Sequence, residues 1–371
     1  MDSVVIVGAG TFGASLAWWL AREGANVTLV DQFEPGDRRA TSGGETRLIR
    51  CGHGADADYT ASARRARTLW RELEAESGTD LLIECGLVWF ARRADGWEAA
   101  SEATMRAQGI PVERLSAGEG ARLFPSFRGE DLEFLLHEPE AGVLRAQRAT
   151  QTLAARARAH GARVVRGRAT PAGDAVVVGD ASERLEADAV VWACGGWLPG
   201  LFPGVALTTT RQDLFFLDGG EAWTRAPGWV DYDGAVYGTG DLDGLGVKCA
   251  PDFEGPPLAP DAELPEPDPA NDRWIRDYCA RRFPALAGAP LKGSTTCRYE
   301  LTPDSHFIAA RHPEHPTVWL LGGGSGHGFK HGPAMAERMA EALRGGEPMP
   351  ERFRLGERAV GQSMRTSGSG R

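Results

Sequence analysis

The stretch that most constrains this chain is its first, "SVVIVGAGTFGASLAWWLAREGANVTLVDQF", residues 3–33. Val4 to Val7 read as a buried strand, and Ala14 to Arg22 repeat apolar residues at helical spacing. Val27 to Val30 form a second strand that ends in Asp31. Between strand and helix, Gly8, Gly10 and Gly13 spell G-x-G-x-x-G, with Thr11 and Phe12 inside the motif. The glycines serve a tight turn, close approach of backbone to a pyrophosphate, and close helix–strand packing. The helix N-terminus then faces the anion with free N–H groups and its dipole, and Asp31 is placed to accept from a ribose hydroxyl. A lone G-x-G-x-x-G says little; strand, helix and terminal acid in this order predict a dinucleotide site. The motif does not choose between NAD and FAD.

The same pattern recurs twice. A helix over Arg145 to His160 leads into a strand at Arg163 to Arg166, followed by the buried strand Ala189 to Ala193 in "DAVVWACGGWLP". Near residue 320, "TVWLLGGGSGHGFKHGPAMAERMAEALRGG" reads as strand, glycine-rich turn and amphipathic helix. Shorter strand-like runs lie between, among them "LLIECGLVWF", "DLFFLD" and "GAVYG". The fold class is therefore α/β: a discontinuous Rossmann-like nucleotide domain, residues 1–80, 146–205 and 291–371, with an inserted α+β substrate domain. Residues 81–145 and 206–290 form that second domain around a mostly antiparallel sheet, and the site is expected between the two. Proline-rich "APDFEGPPLAPDAELPEPDPAND" is expected as a surface loop, and the chain from about 360 as a disordered tail.

Charge and composition exclude other classes. The net charge of −10 and pI near 5.4 leave nothing to neutralise a run of phosphates, so no nucleic-acid partner is expected. No apolar run approaches the ~20 residues that cross a bilayer, and "MDSVVIVGAG" has no basic region or cleavage site. A cytoplasmic protein without a membrane partner is the expectation. The six cysteines are scattered and form no C-x-x-C pair, so neither a metal site nor a disulfide framework is predicted. Cys297 stands out, because it sits in polar "GSTTCRYELTPDSHF" with no second cysteine nearby.

Through "GAGTFGASLAWWLAREG", "GGETRLIR", "ACGGW", "YG" with "GVK", "CRYELTPDSHFI" and "GGSGHGFKHGP", nearly the whole chain resembles a known group. This is the FAD-dependent amine oxidases of the D-amino-acid oxidase superfamily, in particular the monomeric sarcosine oxidase and N-methyltryptophan oxidase group. The resemblance implies FAD, covalently bonded through the Cys297 sulfur to the 8α-methyl carbon of the flavin. Arg298 beside it is expected to lower the thiol pKa. Thr41, Ser42, Gly326, His327, Gly328 and Phe329 join the glycine motif in the implied cofactor site.

By the same resemblance Lys248 and Arg47 are cations at the flavin edge, Lys248 stabilising the anion formed as dioxygen is reduced. Arg50 and Lys330 hold the substrate carboxylate, one as a planar fork and the other as a point charge. Tyr237 lines the substrate cavity. The group places a histidine where this chain has Asp252, which either faces the cavity or lies in a surface loop. Facing the cavity, it would bind a protonated nitrogen and favour a bulkier or cyclic imino acid over sarcosine. His53 and His327 are secondary candidates, His327 for orienting backbone.

The implied activity is oxidation of a secondary amine or cyclic imino acid bearing a carboxylate, yielding an imine and hydrogen peroxide. The implied partners are a small-molecule substrate and dioxygen, and the implied state is a monomer. Two alternatives stay open: a dehydrogenase passing electrons to a quinone or carrier, and a non-catalytic flavoprotein scaffold.

Overall fold

The computed structural model describes residues 1–179 and 183–367. One sheet has six strands in the spatial order Ile308–Arg311, Val318–Gly322, Ala189–Trp192, Ser3–Val7, Asn26–Asp31, Arg163–Arg166. All neighbours run parallel except the first pair. Its central strands are buried on both faces, which is why they read as unbroken apolar runs rather than alternating ones. Helix Thr11–Arg22 packs against helices Ala146–Ala159 and Gly332–Leu343. The sheet thus gathers strands from the start, middle and end of the sequence, as the three repeated patterns predict.

The second sheet has eight strands: Leu291–Leu301, Thr208–Leu217, Val247–Pro251, Val236–Asp241, Gly228–Asp231, Leu87–Ala91, Phe134–Glu138 and Glu113–Leu115. It is antiparallel apart from the pairing of Gly228–Asp231 with Leu87–Ala91. Strand Leu291–Leu301, placed by sequence with the nucleotide domain, is hydrogen bonded along its length to Thr208–Leu217 instead. The eight-stranded sheet therefore runs past the expected boundary at 290 and carries Cys297.

Two further expectations are corrected. The chain beyond 360 is not a disordered tail through Ser367. The Tyr232 hydroxyl donates to the Ser363 carbonyl at 2.8 Å, and Met364, Arg365 and Thr366 are buried. Residues 368–371 lie outside the described residues. The proline-rich segment is irregular but not merely superficial. Leu258 N–H donates to the Thr209 carbonyl at 2.9 Å, and Pro257 to Asp261 form part of a cavity wall. Among the described residues, no helix is long and apolar enough to cross a membrane.

Candidate active site

The glycine motif is shaped as the sequence predicts. Gly8 has φ +106°, and a Cβ there would lie 2.3 Å from the Ala193 carbonyl oxygen, so only glycine fits. A Cβ on Gly13 would meet the Gly8 oxygen at 1.9 Å, which is the close helix–strand approach. Asp31 holds the turn by accepting from Ala9 N–H at 2.5 Å and Phe33 N–H at 2.7 Å. Ser42 Oγ accepts from Thr11 N–H at 2.9 Å.

Along this turn runs a cavity of about 630 Å³. Its wall includes Gly8, Gly10, Thr11, Phe12 and Asp31 at one side, then Thr41, Ser42 and Arg47, then Gly326, Gly328 and Phe329. That volume falls within the roughly 300–1,000 Å³ of small-molecule and cofactor sites. The wall also carries Glu300, which sequence reasoning missed. Its Oε1 accepts from Gly324 N–H at 2.9 Å, whereas Oε2 is buried without a partner among the described residues. Burial pushes this carboxyl up to about 7. An orphaned acceptor on the wall of a dinucleotide-sized cavity fits a hydroxyl-bearing ligand such as FAD.

A second cavity, about 50 Å³, shares Arg47, Tyr299, Gly326 and Phe329 with the first. A water needs roughly 10–15 Å³ by such a measure, so this space suits a ligand of few heavy atoms. Here the structure collects Arg50, Tyr237, Asp252, His327 and Lys330, drawn from segments far apart in sequence. Arg50 donates to the carbonyls of Gly52 and, at 2.8 Å, Met364. Lys330 Nζ donates to the His327 carbonyl at 2.7 Å, and the His327 ring nitrogen Nε2 lies 2.9 Å from the Ser305 carbonyl oxygen. Both cations are buried, and neither forms an ion pair among the described residues. Burial pulls Arg50 down to about 10; burial and then Arg50 pull Lys330 well below its ordinary value. Their hydrogen bonds go to backbone carbonyls, with the centre of the Trp89 ring 4.7 Å from the Arg50 guanidinium and the Glu138 carboxylate acting on both only at longer range, so the two buried cations are electrostatically incomplete.

Asp252 lines the small cavity, which resolves its two alternatives. The electrostatic argument attached to it fails, however. Its Oδ1 lies 2.5 Å from an Arg365 nitrogen, and the same nitrogen donates to the Asp252 carbonyl at 2.9 Å. The carboxylate is compensated by a residue from the stretch expected to be disordered, and no sequence signal announced it.

Lys248 Nζ reaches the Thr46 carbonyl and hydroxyl, both at 3.3 Å, and stands 5.3 Å from the centre of the Tyr237 ring. Burial, then repulsion from Arg47, draws it down to about 8. Tyr237 accepts from the Tyr299 hydroxyl at 3.2 Å. Tyr299 follows Cys297 by two positions and so shares its strand face, a signal the sequence did offer. Cys297 is buried in an apolar cluster with Leu214, Phe216, Ala250 and Tyr299, and is not in the wall of either cavity. Burial pushes its thiol up, while Arg47 and then Lys248 pull it down. Arg298 and Cys297 do interact electrostatically, but Arg298 is a lesser influence than Arg47 and Lys248, and its guanidinium donates to the Ala259, Ala262 and Arg39 carbonyls, anchoring the proline-rich segment.

His53, His327 and His331 form a buried cluster whose ring nitrogens lie within 4.8 Å of one another. Burial first, and then the Lys330 charge, holds all three well below the usual imidazole range. That positive neighbour opposes a cation at the cluster, and the rings instead pack around Tyr59 and Phe307.

Comparison with known proteins closes the assignment. A family described as FAD dependent oxidoreductase matches residues 3–342. The chain belongs to this FAD-dependent oxidoreductase family. Within the curated relatives, it is 30% identical to a monomeric sarcosine oxidase from Bacillus sp. (strain NS-129), with 93% of each chain covered. It is 25% identical to an N-methyl-L-tryptophan oxidase from Yersinia pestis (strain Pestoides F), over 90% of this chain and 92% of that one. An L-proline dehydrogenase from P. horikoshii shares the fold at TM-score 0.83 and 20% identity, with 95% of this chain and 97% of that one covered. The chain is accordingly an FAD-dependent oxidoreductase with the α/β flavoenzyme fold.

Proposed function

We propose that this oxidoreductase is an oxidase of small secondary or cyclic amino acids, acting as a cytoplasmic monomer. The observation that carries the reading is the pair Arg50 and Lys330, buried without a carboxylate partner beside the end of the dinucleotide cavity. A substrate carboxylate would complete them, bidentate on the arginine fork and charge-paired with the lysine. The family names and the word "monomeric" in the sarcosine oxidases support the substrate class and the monomer.

FAD, when bound, would supply the redox chemistry: the amine C–H gives up two electrons and a proton, the nitrogen gives up a second proton as the imine forms, and these two electrons and two protons convert dioxygen to hydrogen peroxide. The protein's own residues do the rest. Gly8, Gly10, Thr11, Ser42 and Asp31 hold the nucleotide portion, with Thr41, Gly326, Gly328, Phe329 and Glu300 around the remainder. Arg50 and Lys330 fix the carboxylate, so the adjacent nitrogen and its C–H bond are presented in one orientation. Tyr237 and Tyr299 wall the cavity and exclude water. The substrate reacts as the free amine, because a protonated nitrogen has no lone pair to assist C–H cleavage; a nearby cluster of cations favours that form. Lys248 presents the preorganised charge for reduction of dioxygen, which favours an oxidase over a dehydrogenase.

The flavin-loaded protein should release peroxide with sarcosine and L-proline, and turn over N-methyl-L-tryptophan much more slowly because the cavity is small. Reduction of an artificial acceptor without peroxide would point to a dehydrogenase, and no oxidation of any amine to a binding scaffold.

Cys297 is proposed as the covalent attachment point, supported by its position among Arg47 and Lys248 and by the resemblance of its motif. Acid-precipitated protein should stay yellow, whereas Cys297→Ser should lose its flavin to the supernatant. A flavin peptide mapping to another cysteine would end this assignment.

A further inference from the structure

We propose that Arg365 determines specificity from within the substrate cavity, by cancelling the charge of Asp252 and occupying the space beside it. This rests on the cavity of Arg50 and Lys330 being the substrate site. Arg365 is buried and lines the small cavity. Its guanidinium lies 4.8 Å from the centre of the Tyr299 ring and, among the described residues, donates both of its hydrogen bonds to Asp252. Its shaft presses on the loop shared by the two cavities: a Cβ on Gly326 would sit 2.2 Å from Arg365 Cδ. The segment that carries it is fixed on either side. Arg50 donates to the Met364 carbonyl, and Ser367 N–H and the Thr366 hydroxyl donate to the Tyr232 carbonyl at 3.1 and 3.2 Å.

The consequence is a charge count. Arg365 and Asp252 cancel, so the cavity offers a ligand the cations Arg47, Arg50 and Lys330, none in an ion pair among the described residues, and no free carboxylate to reward an ammonium. A compact amino acid is selected over one with a further ammonium, because the Asp252 carboxylate is already engaged by Arg365. Removing either member of the pair uncovers the other. A buried carboxylate or guanidinium left alone then takes a ligand of opposite charge, because an unpaired buried charge is costly.

The test uses flavin-loaded enzyme and non-oxidised ligands, read by perturbation of the flavin absorbance. Propionate, butyrate and pentanoate are compared with their ω-amino forms and with the dicarboxylates malonate, succinate and glutarate. Wild type should prefer the plain carboxylate over its ω-amino form at each length. Arg365→Met should shift preference toward at least one ω-amino acid by about tenfold, and adding Asp252→Asn should erase the shift. Asp252→Asn alone should shift preference by about tenfold toward a dicarboxylate. The second variant keeps the test decisive if Arg365→Met folds poorly, and a merely structural role would weaken all ligands alike. Preferences within twofold of wild type in both single variants would overturn the inference. Oxidation of secondary amines by the wild type is scored separately: its absence would sink the proposed function while leaving these preferences readable.

Discussion

Lys248→Met is expected to slow reoxidation of the reduced flavin by dioxygen by ~10²–10³, the usual cost of removing one preorganised charge from such a site. Anaerobic reduction by substrate should change far less, since Arg50 and Lys330 remain to fix the carboxylate. Stopped-flow measurement of the two half-reactions separates these outcomes, and equal slowing of both would make Lys248 structural. The lysine is drawn down to about 8, so pH provides an independent check. Its ammonium is present below that value and is lost above it. Reoxidation should therefore fall as pH rises through about 8 in the wild type, and that limb should vanish in the methionine variant.

The second large effect concerns the carboxylate clamp. Arg50→Met or Lys330→Met leaves a bound carboxylate short of a partner, a loss of about 2–5 kcal/mol in comparable buried pairs. That corresponds to roughly 30-fold to several thousand-fold in kcat/KM, expressed mainly through KM. Lys330→Met should also raise the melting temperature of the substrate-free enzyme, because it removes a buried cation that repels Arg50 and, among the described residues, donates only to the His327 carbonyl. Activity and stability moving in opposite directions would mark a residue kept for binding. A variant that loses both would place Lys330 in the scaffold.

Legibility in the sequence followed the physics of each signal. The nucleotide half could be read because its constraints are local: Gly8, Gly13 and Asp31 meet within one strand–turn–helix–strand unit, and buried parallel strands are unbroken apolar runs. Arg50, Tyr237, Lys248 and Lys330 came from resemblance; the structure brings Arg50, Tyr237 and Lys330 to one cavity wall and leaves Lys248 behind the Tyr237 ring, in the wall of neither cavity. Arg365 could not be read. It lies among serines and glycines with no apolar period, and its burial depends on an ion pair to a residue 113 positions earlier. Glu300 was hidden similarly, since an unpaired Oε2 is a property of three-dimensional surroundings. Arg298 shows the converse. Adjacency to Cys297 suggested the leading electrostatic role, but neighbours on a strand point to opposite faces, and Arg47 and Lys248 act on the thiol more strongly.

The order of strands in the parallel sheet also bears on how this protein reaches its native state. Ser3–Val7 is flanked by Asn26–Asp31 on one edge and by Ala189–Trp192 on the other. Gly8 is seated against the Ala193 carbonyl, so the phosphate turn gains its final shape only after the chain has closed a loop of more than 180 residues. Such non-local pairing slows folding, because loop-closure entropy is spent before the contacts form. Until then the apolar edge of Ser3–Val7 is open to pairing with other chains. Refolding from denaturant should accordingly be slow and sensitive to protein concentration. The first residues synthesised are among the last to become useful.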